Sequence, residues 1–134
     1  MLGQDGGKSV RTARQALGQA GEELAARHLA EQGYRIVERN YRCAVGELDI
    51  VAREGERWAF VEVRTRRGRS HGTPEESITP AKQRKLIEVA STYLQEKGLR
   101  DVDWRIDVVA IEHNADGRPP RVNLIRGAVG EQTT

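Results

Sequence analysis

Hydrophobic and polar positions along this chain follow two different periods, and the changes of period divide it into seven predicted elements. Apolar residues recur at helical spacing from about Ala13 to a stop at Gly33, and again from Pro80 to Lys97, with Thr79 as the predicted N-cap of the second helix. Strand-like alternation or short apolar runs occupy the segments between and after them, at 34–40, 46–52, 58–66, 102–112 and 121–125. The predicted order is therefore αβββαββ, which is an α/β fold.

The two ends of the chain lack this periodicity. Residues 1–12 combine glycines with polar residues and predict a disordered tail, and 127–134 predict a loose C-terminal tail. Residues 13–126 are predicted to form a single domain, because 134 residues suit one core and no internal repeat or linker interrupts them. Aromatic residues make up only 4% of the chain, so we expect a core built from Leu, Ile, Val and Ala.

Composition indicates the cellular compartment and excludes some classes of partner. Cys43 is the single cysteine and cannot form an internal disulfide, which favours a reducing cytoplasm. No apolar run approaches the roughly 20 residues of a membrane span, and the N-terminus lacks the apolar segment of a signal peptide. We therefore expect a cytoplasmic protein with no membrane partner. The net charge of +2 does not indicate a class of partner, so the positions of the charged residues along the chain are more informative.

The strands on either side of Gly55 read as a β-hairpin, and each carries a carboxylate where an apolar residue is expected. If Asp49 and Glu62 share a face of adjacent strands, they meet together with Arg64, two positions after Glu62. Burying either carboxylate without a partner costs roughly several kcal/mol, and a hard cation such as Mg²⁺ between them offsets that cost. The alternative is a solvated face on which Glu62 pairs with Arg64, and Asp49 with another arginine.

Basic residues cluster directly after this hairpin and at the start of the second helix. Such clusters attract phosphate backbones, although a solvated loop and helix surface is the plainer explanation. Lys82 extends the apolar stripe of its helix toward the sheet, either as a snorkelling lysine or as a phosphate contact. Residues 68–77 are predicted to form a mobile loop able to close over a polyanion. The candidate nucleic-acid contacts are Arg64, Arg66, Arg67, Arg69, Lys82 and Lys85.

Three features of the helices and of the fourth strand add to this picture. Glu22 lies on the flank of the first helix's apolar stripe, where it either reaches the sheet edge or stays an ordinary exposed carboxylate. Gly18 and Gly21 cost about 1 kcal/mol each in a helix interior, which indicates close packing or a passing substrate backbone. Asp107 interrupts an apolar strand and is predicted to be a structural partner of an arginine.

Taken together, these motifs resemble the YraN-like family of predicted bacterial endonucleases. The resemblance covers about residues 15 to 125 and implies a place in the Holliday junction resolvase-like branch of the PD-(D/E)XK nucleases. It implies a restriction-endonuclease/resolvase-like core, with a central mixed β-sheet flanked by helices. The motifs that carry it are Gly18, Gly21 and Glu22, Gly33-Tyr34, Arg39-Asn40-Tyr41, Gly46-Glu47-Leu48-Asp49, Phe60-Val61-Glu62-Val63-Arg64 and Arg105-Ile106-Asp107-Val108-Val109.

The resemblance also implies roles for individual residues. Asp49 matches the metal-binding aspartate of the superfamily, Glu62 matches its glutamate, and Glu22 matches the helix-borne acid that completes the metal site, which holds Mg²⁺ or Mn²⁺. Arg64 stands where the superfamily usually has lysine. Arginine keeps its proton in proteins and is a poor general base, so Lys82 is the candidate to supply the missing amine.

The function implied is metal-dependent endonuclease activity on structured DNA or RNA, by a monomer or a homodimer. The alternative is a catalytically inactive module that keeps the nuclease fold and binds the nucleic-acid backbone, which Arg64 would suit. A third reading is a protein-interaction domain, in which the carboxylates are paired surface charges. Binding of DNA or RNA at low salt discriminates the third reading from the other two.

Overall fold

The computed structural model describes residues 13–67 and 78–129, with side chains described from residue 18. The predicted tail at 1–12, the predicted basic loop at 68–77 and residues 130–134 lie outside these ranges. The predicted order of elements is confirmed. They are α1 (Ala13–Glu31), β1 (Arg35–Cys43), β2 (Gly46–Glu54), β3 (Arg57–Arg67), α2 (Pro80–Glu96), β4 (Trp104–His113) and β5 (Arg121–Ile125).

The strands form one five-stranded mixed sheet in the order β1-β2-β3-β4-β5. Neighbouring strands are antiparallel except for β3 and β4, which are parallel. A parallel pair needs a crossover connection, and α2 lies within the one that joins β3 to β4. The two helices cover opposite faces of the sheet, since Phe60 packs in the core cluster of α2 and the next residue, Val61, in that of α1. The predicted mixed sheet flanked by helices is therefore confirmed.

The α1 face depends on a close approach between helix and sheet. Ala25 and Leu29 are fully buried against the sheet, and Gly21 sits directly over Thr65 of β3. A Cβ at Gly21 would collide with Thr65 Oγ1, so only glycine allows this approach. The predicted close packing is thus found at Gly21. It is absent at Gly18, where no described atom lies within 4 Å of the Cβ position.

The α2 face is built around aromatic side chains, although these are few in the chain. The Tyr93 ring packs on Tyr41, Trp58 and Phe60 with ring centroids 4.9, 5.9 and 5.6 Å apart. The expectation of a core made of aliphatic residues is therefore wrong on this face, because the few aromatic residues are concentrated there. The predicted N-cap of α2 is confirmed, as Thr79 Oγ1 accepts a hydrogen bond from the backbone N–H at residue 82.

Asp107 is completely buried and is held by three donors. Its carboxylate accepts hydrogen bonds from Arg105 Nε at 2.8 Å, Tyr34 Oη at 2.7 Å and the Gly127 backbone N–H at 2.8 Å. The predicted pairing of Asp107 with an arginine is confirmed. The same contacts correct the prediction for the first residues of the C-terminal tail. Residues 127–129 pack on the sheet, since Gly127 bonds Asp107 and Val129 is buried.

Candidate active site

The candidate site lies where β2 and β3 separate. Their ladder runs from the turn at Gly55 to the pair Ile50 and Val61, and continuing this register places Asp49 opposite Glu62. At this point Asp49 Oδ2 accepts a hydrogen bond from the Val63 backbone N–H at 2.7 Å. The carboxylate thus takes the place of a strand carbonyl as the acceptor, which brings it between the strands and close to Glu62.

The regular alternation of side chains is broken at Asp49. Leu48 packs in the α2-side core and Ile50 in the α1-side core, although residues two apart in a strand normally share a face. Opposite this point in β1, Asn40 has a φ of +58°, in the left-handed region. Regular alternation would place Asp49 on the same face as Val51, so it misses the local geometry that turns the carboxylate toward β3.

Glu62 is buried, and two cations reach it from different elements. Arg64 Nη1 lies 3.4 Å from Glu62 Oε2, and Lys82 Nζ from α2 lies 3.5 Å from the same oxygen. Both cations are about one third exposed, so they sit between the carboxylate and solvent. The prediction that Lys82 leans toward the sheet is confirmed. Arg64 pairs with Glu62 as the solvated-face alternative required, but Glu62 itself is only 6% exposed.

Negative charge accumulates at Asp49. Burial, and after it the charge of Glu62, raises the pKa of the Asp49 carboxyl to about 7, with smaller contributions from Glu22 and Glu47. The hydrogen bond from the Val63 N–H opposes this rise. No lysine or arginine among the described residues forms an ion pair with Asp49, so the arginine partner that the solvated-face alternative requires is not found there.

Glu22 approaches the site from α1 and is already bound by β1. Arg39 Nη2 lies 3.8 Å from Glu22 Oε1, and the Asn40 amide, with its nitrogen toward Glu22, donates to both carboxylate oxygens at 3.2 and 3.3 Å. Glu22 still faces Asp49 closely enough to raise its pKa. Across residues 18–67 and 78–129, no group of three His, Cys, Asp or Glu side chains is arranged to hold a metal ion.

The predicted basic contacts divide into two groups. Glu62, Arg64 and Arg66 alternate on β3 and share the α2 face of the sheet, and Lys82 lies beside them. The stem of Lys85 packs over Gly46 at the start of β2, and its amine lies 3.5 Å from Glu88. Arg67 is exposed at the end of β3 and lies on the opposite face of the sheet from Arg66. Arg69 lies outside the described residues.

Asn40 is the site residue that sequence reasoning did not single out. It belonged to a motif of the resemblance, but it received no role. One signal is available in the sequence, because asparagine tolerates the left-handed conformation better than most residues. Its amide holds Glu22 in place from that conformation.

Comparison with known proteins places the chain in a family. The model of the uncharacterised protein family UPF0102 matches residues 21–111, about two thirds of the chain. The chain belongs to UPF0102. This is the YraN family that the motifs resemble. UPF0102 proteins of Moorella thermoacetica and Symbiobacterium thermophilum are 48% and 49% identical over 115 and 112 residues, which cover 86% and 84% of this chain and 96% and 94% of theirs. A UPF0102 protein of Pelobacter propionicus is 53% identical over 103 residues, covering 75% of this chain and 74% of its own length.

The UPF0102 match contains the candidate site but not the last strand. Glu22, Asp49, Glu62 and Lys82 all lie within residues 21–111, whereas β5 and the turn that precedes it lie beyond the match. None of the described helices has the length and apolar character needed to cross a membrane. The family description assigns no activity, so the chemistry has to be argued from the site itself.

Proposed function

We propose that this chain is a metal-dependent endonuclease of the resolvase-like nuclease branch, hydrolysing phosphodiester bonds in structured DNA or RNA. One observation carries the proposal: Asp49 and Glu62 are close carboxylates, Glu62 buried and Asp49 half-buried, and Asp49 has no cationic partner among the described residues. A pair of this kind is costly to bury unless a cation or a proton joins it. The basic groups beside it, Arg64 and Lys82, suit a phosphate.

The donor set fits a hard divalent ion. Mg²⁺ is commonly held by one or two carboxylates, together with waters and substrate phosphate oxygens, and does not need a cage of three protein ligands. Asp49 and Glu62 would hold the ion. Glu22, already bound to Asn40 and Arg39, would lie beside them. An ion held there supplies positive charge that polarises a phosphate and lowers the pKa of a bound water.

The two cations beside Glu62 would have different catalytic roles. Arg64 stays charged and would hold a non-bridging phosphate oxygen as negative charge develops on it. Lys82 lies at the same carboxylate oxygen but comes from a different element, and a lysine amine can lose its proton where an arginine does not. Lys82 would therefore orient the attacking water or move its proton, the role that the superfamily gives to the lysine replaced here by Arg64.

A second candidate function is favoured by Arg64 itself. A fixed guanidinium already paired with Glu62 suits a module that grips the phosphate backbone without cutting it. In this case the affinity for nucleic acid falls as salt rises, survives Asp49→Ala and Glu62→Ala, and is accompanied by no cleavage.

The decisive experiment is a Mn²⁺ titration followed by amide NMR shifts and line broadening, in wild type and in Asp49→Ala. The proposal expects changes confined to the neighbourhoods of Glu22, Asp49 and Glu62 in wild type, and their loss in the variant. Asp103→Ala, which removes an exposed carboxylate paired with Arg57, is the matched control and leaves the response unchanged.

Cleavage is then assayed on branched, flapped and single-stranded DNA and RNA with Mg²⁺ or Mn²⁺. Cleavage that Asp49→Ala abolishes supports the nuclease. Metal-independent binding without cleavage selects the binding module. If the protein shows neither a localised Mn²⁺ response nor binding to DNA or RNA at low salt, both functions are rejected.

A further inference from the structure

A row of charged residues crosses three strands on the α2 face, at the end of the sheet where β3 ends. Glu112 of β4 is in register with Arg66 of β3 on one side and with Arg121 of β5 on the other. Residues in register share a face, and Phe60 and Ile106, an earlier pair of the same ladder, both lie in the α2-side core. Arg66, Glu112 and Arg121 therefore continue the face that carries Glu62 and the candidate site.

A cavity of about 420 Å³ opens at the far end of this row. It lies at the turn between β4 and β5, and its volume is within the range of small-ligand pockets. The turn is held by its own polar contacts, because Asn114 Nδ2 donates to the Pro119 carbonyl at 2.9 Å. The residues that line the cavity are Glu112, Asn114, Arg118, Pro119 and Arg121.

The described residues satisfy the two arginines of this cavity to different degrees. Arg118 forms an ion pair with Asp116. Arg118 is oriented through Nε, which donates to Asp116 Oδ2 at 2.7 Å, while its two Nη groups make no hydrogen bond within the described residues. The side chain of Arg121 is exposed and, within the same part of the chain, makes neither an ion pair nor a hydrogen bond. Glu112 faces it in register, yet no ion pair joins them. The Arg121 guanidinium and the two Nη groups of Arg118 thus have no partner among the described residues, and Glu112 lies beside them as an acceptor.

We propose that this cavity is a second nucleotide subsite. Arg118 and Arg121 take a phosphate of the strand, and Glu112 accepts a hydrogen bond from a sugar hydroxyl or an exocyclic amine of the same nucleotide. This inference rests on the proposed function, since it needs a nucleic acid on the α2 face. It extends that function to a stretch outside the part of the chain matched by the family.

The position of the cavity suits a strand that leaves the candidate site. Arg121 lies two strands away from Glu62, which is about 10 Å across the sheet. It also lies four residue positions further in the direction of β3, which is about 13 Å along the strands. Arg64 and Arg66 lie between the two positions on the same face. A phosphodiester strand a few nucleotides long covers this path, so the cavity would fix where the strand runs relative to the site.

The test is fluorescence anisotropy of a labelled 20-nucleotide single strand, prepared as DNA and as RNA, and of a branched DNA, with the full chain in EDTA. We expect Arg121→Ala and Arg118→Ala each to weaken binding 3- to 10-fold and to reduce the salt slope by about 1. Arg100→Ala removes the same charge from an exposed position before β4, at the other end of that strand, and is the matched control. Thermal melting verifies that each variant is folded.

The outcomes separate the subsite from the proposed function. If wild type binds and Arg121→Ala weakens binding no more than Arg100→Ala does, the subsite is rejected and the proposed function stands. If wild type binds none of these probes, the subsite is rejected, and the proposed function is rejected with it if the localised Mn²⁺ response is also absent. The proposed contact of Glu112 requires Glu112→Ala to bind more weakly than Glu112→Gln, because glutamine keeps an acceptor oxygen. Equal affinities of these two variants would overturn the role of Glu112.

Discussion

Asp107 and Asp49 are both carboxylates in the same sheet, but the groups around Asp107 stabilise its negative charge, whereas those around Asp49 disfavour it. Asp107 is completely buried and accepts hydrogen bonds from Arg105, Tyr34 and the Gly127 backbone. Among the described residues, Asp49 accepts one hydrogen bond and faces further carboxylates, of which Glu62 raises its pKa most. The charge of Asp107 is compensated by its neighbours, whereas no cation in the described part of the chain compensates that of Asp49.

This difference distinguishes a structural carboxylate from one available for chemistry. Around Asp107 the network continues outward, since Arg105 also bonds Glu54, which in turn accepts from Arg126 Nη2 at 2.9 Å. Every charge there has a partner of opposite sign. At Asp49 the partner is missing from the described residues, and perturbed ionisation of this kind is typical of functional sites.

Removing the satisfied carboxylate should have the largest effect. Asp107→Ala leaves the Arg105 guanidinium, 15% exposed, without its buried partner, and we expect a loss of about 3–5 kcal/mol in the free energy of unfolding. Urea denaturation measures it. Asp103→Ala, at an exposed ion pair, is the control and should cost about 1 kcal/mol or less. A loss below 1 kcal/mol for Asp107→Ala would contradict the structural role.

Replacing the cation that approaches Glu62 from α2 should mainly affect chemistry. We expect Lys82→Ala to lower the cleavage rate roughly 10²-fold, which is about 3 kcal/mol of transition-state stabilisation, with little effect on stability. Lys82→Arg should not restore the rate, because arginine keeps its proton. Single-turnover cleavage kinetics measure both variants. Full activity of Lys82→Arg would show that only the charge at this position matters.

The unsatisfied carboxylate should make stability depend on pH. The folded pKa of about 7 lies above the ordinary value of 3.8, so the folded state binds this proton more tightly than the unfolded state. The contribution of Asp49 is therefore most favourable below about pH 4 and is lost as pH rises to about 7. Allowing for solvent at this half-buried group, we expect Asp49→Asn to stabilise the protein by about 2 kcal/mol at pH 8 and to have little effect at pH 4.

Urea denaturation in EDTA between pH 4 and pH 8 checks this dependence, with the pH profile of Asp103→Asn as control. Profiles of wild type and Asp49→Asn that run parallel across this range would show that the charge of Asp49 is already compensated. Adding Mn²⁺ at pH 8 should stabilise wild type and leave Asp49→Asn nearly unchanged, because binding to the folded state raises stability by mass action.

The smallest effect separates the backbone of Asn40 from its side chain. Alanine has a Cβ but no polar group to stabilise the left-handed conformation, so Asn40→Ala should lower the free energy of unfolding by about 1 kcal/mol. Glycine adopts this conformation without strain, so Asn40→Gly should be nearly neutral in stability. Both variants remove the amide that holds Glu22, so both should weaken Mn²⁺ binding by a few-fold. Normal Mn²⁺ affinity in Asn40→Gly would mean that the orientation of Glu22 does not affect the ion.

The sequence predicts the regular parts of this molecule well, because periodicity and turn residues are local properties. The order of elements, the N-cap at Thr79 and the approach of Lys82 to the sheet all follow from spacing along the chain. The hairpin around Gly55 also predicts that Asp49 and Glu62 are near each other, since a short turn fixes the register of its strands.

The irregular parts depend on contacts that no local pattern contains. The break in alternation at Asp49 and the conformation of Asn40 are local departures from the period on which the prediction rests. The arginine partner of Asp107 could be predicted from sequence, but Tyr34 and Gly127 reach it from opposite ends of the chain. The concentration of aromatic rings around Tyr93 likewise appears only when β1, β3 and α2 are brought together.

The hydrogen bond between Tyr34 and Asp107 joins residues 73 positions apart, whereas Asp49 and Glu62 belong to a single hairpin. Closing a short loop is fast. Pairing distant segments is slow, because more chain entropy is lost before favourable contacts compensate for the loss. The like-charged pair should therefore come together early in folding, before the parallel pairing of β3 with β4 encloses it. During that interval a proton or a dissolved cation would compensate its charge, so divalent ions should speed the folding of wild type more than that of Asp49→Asn.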